Sequence, residues 1–247
     1  MFYAFRSLAI RDYRIYVSGH AVSQMGTWMQ RLAVIWAVFE ITDSGTAVGV
    51  ASACLFGPAL FLSPLGGLMA DRYDGRSLLV ATKIGLAGTA VLFAFVSFAH
   101  PSTPVPYMFV AVLFGVVETF DIPVRMTFVN ELVSRDDLPN AIGINTAVMN
   151  GSRVVGPTIA GLLISGAGVE WCFAVNIAMA FVVLLSMLAV RPPSRTAPEP
   201  PDKDGVLIGF RIAWHNPVLR FALLSFTVMT VFVIVFPVTL PLFAERS

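Results

Sequence analysis

Apolar stretches of about 20 residues, the length that crosses a bilayer as an α-helix, recur along this chain with only short polar breaks between them. Seven such runs stand at about 15–41, 46–70, 78–99, 106–130, 139–165, 170–190 and 217–244. A chain built this way folds as helices in lipid, because lipid leaves no water to satisfy exposed backbone groups. Composition agrees, with 57% hydrophobic and 13% charged residues and a mean hydropathy of +0.79. A soluble domain of this size has too little interior to hide that much apolar surface. The first run is too deep and too long for a signal peptide and has no small-residue cleavage site after it, so the N-terminus is expected to be retained.

The breaks after the first, third and fifth runs, near Thr42–Thr46, His100–Val105 and Ser165–Val169, are short enough to require antiparallel neighbours. Basic residues accumulate in cytoplasmic loops close to span ends. Of the 16 Lys and Arg residues, 13 are assigned to one side: Arg6, Arg11, Arg14, Arg72, Arg76, Lys83, Arg125, Arg135, Arg191, Arg195, Lys203, Arg211 and Arg220. Arg246 is assigned to the other side, and Arg31 and Arg153 lie within spans. This places the N-terminus in the cytoplasm and the chain in the inner cell membrane as a multi-pass protein.

Three segments follow. Residues 1–190 form a six-helix transmembrane bundle. Residues 191–216 form a cytoplasmic linker, whose first part, RPPSRTAPEPPDKDG, carries five prolines that block helix formation. Leu207, Phe210 and Trp214 then share a face opposite Arg211 and His215, as in a helix lying in the membrane interface. Residues 217–247 carry the first helix of an incomplete second bundle. Phe2, Phe5, Leu8 and Ala9 alternate with Arg6 and Arg11 in a comparable way, which hints at a restart after about 205 residues of the kind seen in parallel repeats.

Charges inside spans are costly, at roughly 2.5–3.5 kcal/mol each at the helix centre, and they mark functional or paired groups. Arg31, Glu118, Asp121 and Arg153 each fall near the middle of a run. Two positive and two negative charges at similar depth predict pairing across a polar cavity where spans one, four and five converge. Glu118, Asp121 and Arg125 follow i, i+3, i+7 spacing and so share a face, and Pro123 frees carbonyls beside them. Glu118 or Asp121 is the expected proton carrier. Arg31 or Arg153 would shift its affinity or hold an anionic group of the cargo. A purely structural ion-pair network is the alternative.

The loop between runs two and three reads Gly67-Leu68-Met69-Ala70-Asp71-Arg72-Tyr73-Asp74-Gly75-Arg76. It resembles the signature of the major facilitator superfamily: a glycine, three residues, Asp-Arg and a turn closed by basic residues. The matching positions are Gly67, Asp71, Arg72 and Arg76, and the turn glycine stands one position later than in the commonest form. The resemblance implies a cytoplasmic gate, with Gly67 allowing close helix packing and Asp71 holding a loop arginine or facing a helix N-terminus. In run five, Gly143, Ser152, Gly156, Pro157, Ala160 and Gly161 follow the spacing of the family's antiporter motif, with Ser152 and Ala160 replacing glycines. That motif implies export.

Within the superfamily, the phrases SGHAVSQMGTWMQRLAVIWAVFEITDS, DIPVRMTFVNELVSRDDLPNAIGIN and NPVLRF resemble an enterobactin-exporter-like and macrolide-efflux-like group. The resemblance implies an all-α, polytopic transmembrane helix bundle of major facilitator type. Such transporters have twelve spans, so a chain with seven reads as truncated, the N-terminal half plus one helix. The expected activity is proton-coupled export of small molecules, siderophores or drugs, by alternating access. The expected partners are the substrate, protons, the bilayer, and a second copy or the missing C-terminal half. A non-transporting membrane scaffold that binds a partner subunit is the alternative. The net charge of +1 gives no reason to expect nucleic acid.

Other features carry little. No nucleophile–base pair points to an enzyme, and no His, Cys and carboxylate spacing points to a metal or cofactor. Cys54 and Cys172 sit in apolar stretches as small filler. His20 reads as a packed or locally bonded side chain, Trp171 as an interface anchor, and Asn150-Gly151-Ser152 as a chance glycosylation triplet within a span.

Overall fold

The computed structural model describes residues 2–190, 214–221 and 224–225; the side chains of residues 2–4 and of Asp71 lie outside that description. The chain divides into two units, Met1–Pro198 and Glu199–Ser247. In the first, a short 3-10 segment, Phe2–Ala9, leads into six helices: α1 (Arg11–Thr42), α2 (Gly45–Arg72), α3 (Gly75–Phe98), α4 (Val105–Leu132), α5 (Leu138–Gly166) and α6 (Val169–Ala189). Each of the first six apolar runs lies within one of these helices or overruns its end by a single residue. In the second unit, Asn216 caps the helical residues 217–221, its Oδ1 accepting from the amides of Val218 and Leu219 at 3.0 and 3.3 Å. The linker 191–213, including Leu207, Phe210 and Arg211, and most of the seventh run lie outside the described residues.

Among the described residues, α2 to α6 are long and apolar enough to cross a membrane. At 32 residues α1 is long enough as well, but it carries buried His20, Gln24, Gln30 and Arg31 and is less apolar. Those polar groups are tolerable because α1 is covered on several sides: it packs mainly on α5 and α6, and also on α2 and α4. Asn176 of α6 donates to Gln30 Oε1 at 2.7 Å, one polar contact inside this packing.

Without a hydrophobic force between helices in lipid, close approach of backbones carries much of the packing. The α2–α4 pair is the most extensive contact in the bundle. A Cβ at Gly115 of α4 would meet the Leu55 carbonyl oxygen of α2 at 2.6 Å, too near for any side chain. The expectation that Gly67 supplies such an approach is corrected: a Cβ there would meet nothing within 4 Å. Its neighbour Gly66 does the packing, since a Cβ there would meet the Thr119 carbonyl oxygen at 3.0 Å; only one of two adjacent helical positions can face α4.

The helices alternate in direction. At one end, Ser7 N donates to Asn140 Oδ1 at 3.0 Å, Tyr13 Oη donates to the Ala141 carbonyl at 2.8 Å, and Arg76 donates to the Met187 carbonyl at 3.0 Å. These bonds gather the starts of α1, α3 and α5 with the end of α6. At the other end His100, after α3, lies 3.6 Å from Glu170 at the start of α6. Asp74, in the family-like loop, is the N-cap of α3, accepting from Ser77 N at 2.8 Å. The bonds from Ser77 hold its carboxyl below the usual carboxylate range.

Candidate functional site: two charge clusters inside the bundle

Six charged side chains project from the helices into or beside the bundle, and they sort into two groups. In the first, Arg31 of α1 donates through Nη2 to Glu118 Oε2 of α4. The pair is largely but not completely covered, with side chains 10% and 15% exposed. The Arg31 guanidinium lies over three rings: Trp28 at 4.4 Å, Phe56 of α2 at 4.8 Å and Phe114 at 5.7 Å from the centroids. Its Nε has no partner. Exposed Arg153 of α5 also lies over Trp28, at 5.2 Å from its centroid.

Arg31 meets Trp28 from three residues along α1, and Arg153 reaches it because α5 comes close to α1 at Gly156. A Cβ at Gly156 would meet the Met25 carbonyl oxygen at 2.6 Å and Trp28 Cβ at 2.8 Å. The glycine of the antiporter-like motif thus lets α5 lie against the turn of α1 that bears Trp28. Ser152 and Ala160 are buried on the same α5 face, one turn before and one turn after Gly156. Gly143 and Gly161 point elsewhere, with open space where a Cβ would be. Pro157 is accommodated within a continuous α5.

The second group is deeper. Asp121 of α4 accepts from Lys83 Nζ of α3 at 2.9 Å, from Thr82 Oγ1 at 2.9 Å and from Arg125 Nη1 at 3.5 Å. The three charged side chains are no more than 3% exposed. Tyr16 and His20 of α1 lie beside them as parallel rings 5.6 Å apart, with neither His20 nitrogen partnered. Met149 of α5 contacts Arg125.

Three expectations are corrected by this arrangement. Lys83 and Arg125 do not lie at the basic end of the bundle; both are buried against Asp121, since a carboxylate at that depth needs cationic partners. The charges do not pair across one cavity: Glu118 bonds Arg31 of α1 and Asp121 bonds Lys83 of α3, although their i, i+3 spacing puts both on one side of α4. Arg153 pairs with no carboxylate among the described residues. The convergence of α1, α4 and α5 is present, joined by α2 through Phe56. Of the gate-like residues, Arg76 bonds the last turn of α6, Arg72 is exposed, and the Asp71 side chain lies outside the description.

Sequence reasoning missed Lys83, Thr82, Trp28, Phe56 and Phe114. Two of the aromatics carried a usable signal: Trp28 and Arg31 are three apart and Phe114 and Glu118 four apart, each a same-face helical spacing.

A sequence profile of the Major Facilitator Superfamily matches residues 16–247. The chain is 24% identical over 177 residues to the Staphyloferrin A transporter of Staphylococcus aureus, covering 71% of this chain and 44% of that protein. It is 25% identical over 219 residues to the uncharacterized MFS-type transporter YfiS of Bacillus subtilis, covering 85% and 51%. It is also 25% identical over 178 residues to Macrolide efflux protein A of Streptococcus pyogenes, covering 71% and 44%. The chain therefore spans about half the length of these relatives. A bundle of long apolar helices, the family-like loop before α3 and the profile match over most of the chain together make it a member of the Major Facilitator Superfamily.

Proposed function

We propose that the chain is the six-helix N-terminal bundle and following helix of a secondary transporter that exports small molecules in exchange for protons. The observation that carries this reading is the Arg31–Glu118 pair, set among Trp28, Phe56 and Phe114 where four helices meet and still partly exposed. An ion pair retained at such depth costs insertion energy, and accessibility gives it something to exchange with. Glu118 is the proton carrier in this reading: when it is protonated, Arg31 is released, and the pair has two states that a proton selects between. Asp121 is less suited, since two cations and a hydroxyl already hold it and nothing reaches it from outside.

Export, rather than import, is supported by the antiporter-like run on α5 and by the printed names of the efflux and siderophore relatives. The segment order 1–190, 191–216 and 217–247, the inner cell membrane and a cytoplasmic N-terminus belong to the same proposal, with Arg6, Arg72, Arg76 and Arg135 on the cytoplasmic side. The exposed α5 face carries Gly143, Ala147, Asn150, Thr158 and Gly161, small or polar positions suited to another helix. A second copy or a C-terminal half would lie there.

That same stripe favours a second reading, a non-transporting half that only binds a partner. One experiment separates the two: the chain in proteoliposomes, alone and with a supplied C-terminal half of a relative, assayed for dye or siderophore efflux with and without a proton gradient. Gradient-dependent efflux supports the transporter. Correctly inserted protein with no efflux in either condition supports the partner-binding half.

A further inference from the structure

The charge balance inside the bundle differs from the one expected from the sequence. Burial of Lys83 and Arg125 adds two cations to the four charges identified there, so Arg31, Lys83, Arg125 and Arg153 face only Glu118 and Asp121. Among the described residues the bundle therefore holds a surplus of two positive charges at membrane depth. His20, if protonated, would add to the surplus and not reduce it. One excess charge is locked beside Asp121 with side chains no more than 3% exposed. The other is Arg153, which is exposed and pairs with no described carboxylate.

The position of Arg153 is specific. Its guanidinium and that of Arg31 both lie over Trp28, at 5.2 and 4.4 Å from the ring centroid. Arg31 spends Nη2 on Glu118, and its Nε is buried without a partner, so Arg153 is the accessible cation of the two. Two guanidiniums thus lie against one indole, one of them already neutralised by Glu118 and the other exposed and paired with no described carboxylate. Guanidinium forks match carboxylates bidentately, and an indole face offers stacking area to a planar group.

We infer that the cargo is negatively charged, a carboxylate-bearing and preferably aromatic small molecule, docking its anionic group on the exposed Arg153 guanidinium over Trp28. This rests on the transporter reading for its purpose but on charge and geometry for its content. A cationic cargo would meet a net repulsive site with Glu118 already occupied.

The test uses the full chain in lipid nanodiscs and two xanthene dyes of similar shape and opposite charge, carboxyfluorescein and rhodamine 123, with binding followed by dye anisotropy. Carboxyfluorescein should bind saturably and more tightly than rhodamine 123. R153Q should weaken it about tenfold to hundredfold, the loss of a charge-assisted contact, while R153K, which keeps the charge without the fork, recovers only part of that loss. Preference of the unaltered chain for rhodamine 123, or equal carboxyfluorescein binding by the unaltered chain and folded R153Q, overturns the inference. The dye comparison on the unaltered chain stands even where R153Q does not fold. Anion binding without gradient-driven movement would sink the transporter reading and leave this one intact. Gradient-driven movement of rhodamine 123 with no anion binding would do the reverse.

Discussion

Glu118 and Asp121 are three residues apart on one helix, have nearly the same chemistry, and occupy opposite circumstances. Glu118 has one cationic partner, aromatic walls and partial exposure. Asp121 has two cations, a threonine hydroxyl and almost no exposure. A carboxylate held from three sides is a fixture that ties α3 to α4, and changing it disturbs the fold. A carboxylate held from one side beside an opening can exchange partners. The difference teaches that intramembrane charge alone does not mark a working residue; the number of its partners and its access decide.

Four substitutions sharpen or break that contrast, in falling order of expected effect on stability. Asp121→Asn leaves Lys83 and Arg125 buried without a counter-charge and should cost about 3–5 kcal/mol. It would appear as loss of monodisperse protein in detergent, partly restored by adding Lys83→Met; full stability of the single variant would remove Asp121's structural role. Gly156→Ala should cost about 1–3 kcal/mol, because its Cβ would meet the Met25 carbonyl oxygen at 2.6 Å and push α5 away from Trp28. Thermal unfolding checks the cost, and an unchanged midpoint would mean the two helices yield freely.

Asp74→Ala removes the N-cap of α3 and should cost about 1 kcal/mol, read in the same unfolding assay. The pH sign follows from the lowered folded-state value. The unfolded chain binds the proton first, so the carboxylate's contribution is complete above about pH 4 and is lost as pH falls through the folded value. Asp74→Ala should therefore flatten the acid limb of the stability profile, and an unaltered limb would refute the cap's part in it. Glu118→Gln should have the smallest effect of the four, since the partly exposed pair leaves Arg31 stacked on three rings.

Much of the fold was legible in the sequence because lipid imposes a length and an apolarity on every span, and polar breaks mark the ends. The six helices follow the apolar runs for that reason. The site was legible in part. Arg31, Glu118, Asp121 and Arg153 stand out as charges in apolar runs, but their partners do not, since pairing across helices depends on rotation and proximity that no single run encodes. Lys83 was misplaced because its run begins at 78, close enough to an end for a lysine to reach the interface by its own length. The structure instead turns it inward to Asp121. Gly66 and Gly67 illustrate the same limit: adjacent glycines are equivalent in sequence and lie about 100° apart on the helix, so only one can face α4.

The central claim is that Glu118 exchanges a proton while Asp121 holds the bundle, and the most direct test is gradient-driven efflux by Glu118→Gln, normalised to folded protein, with thermal unfolding measured on the same sample. The account predicts an unfolding midpoint close to that of the unaltered chain and loss of the response to the proton gradient. Full gradient-driven efflux from a folded Glu118→Gln protein would contradict it.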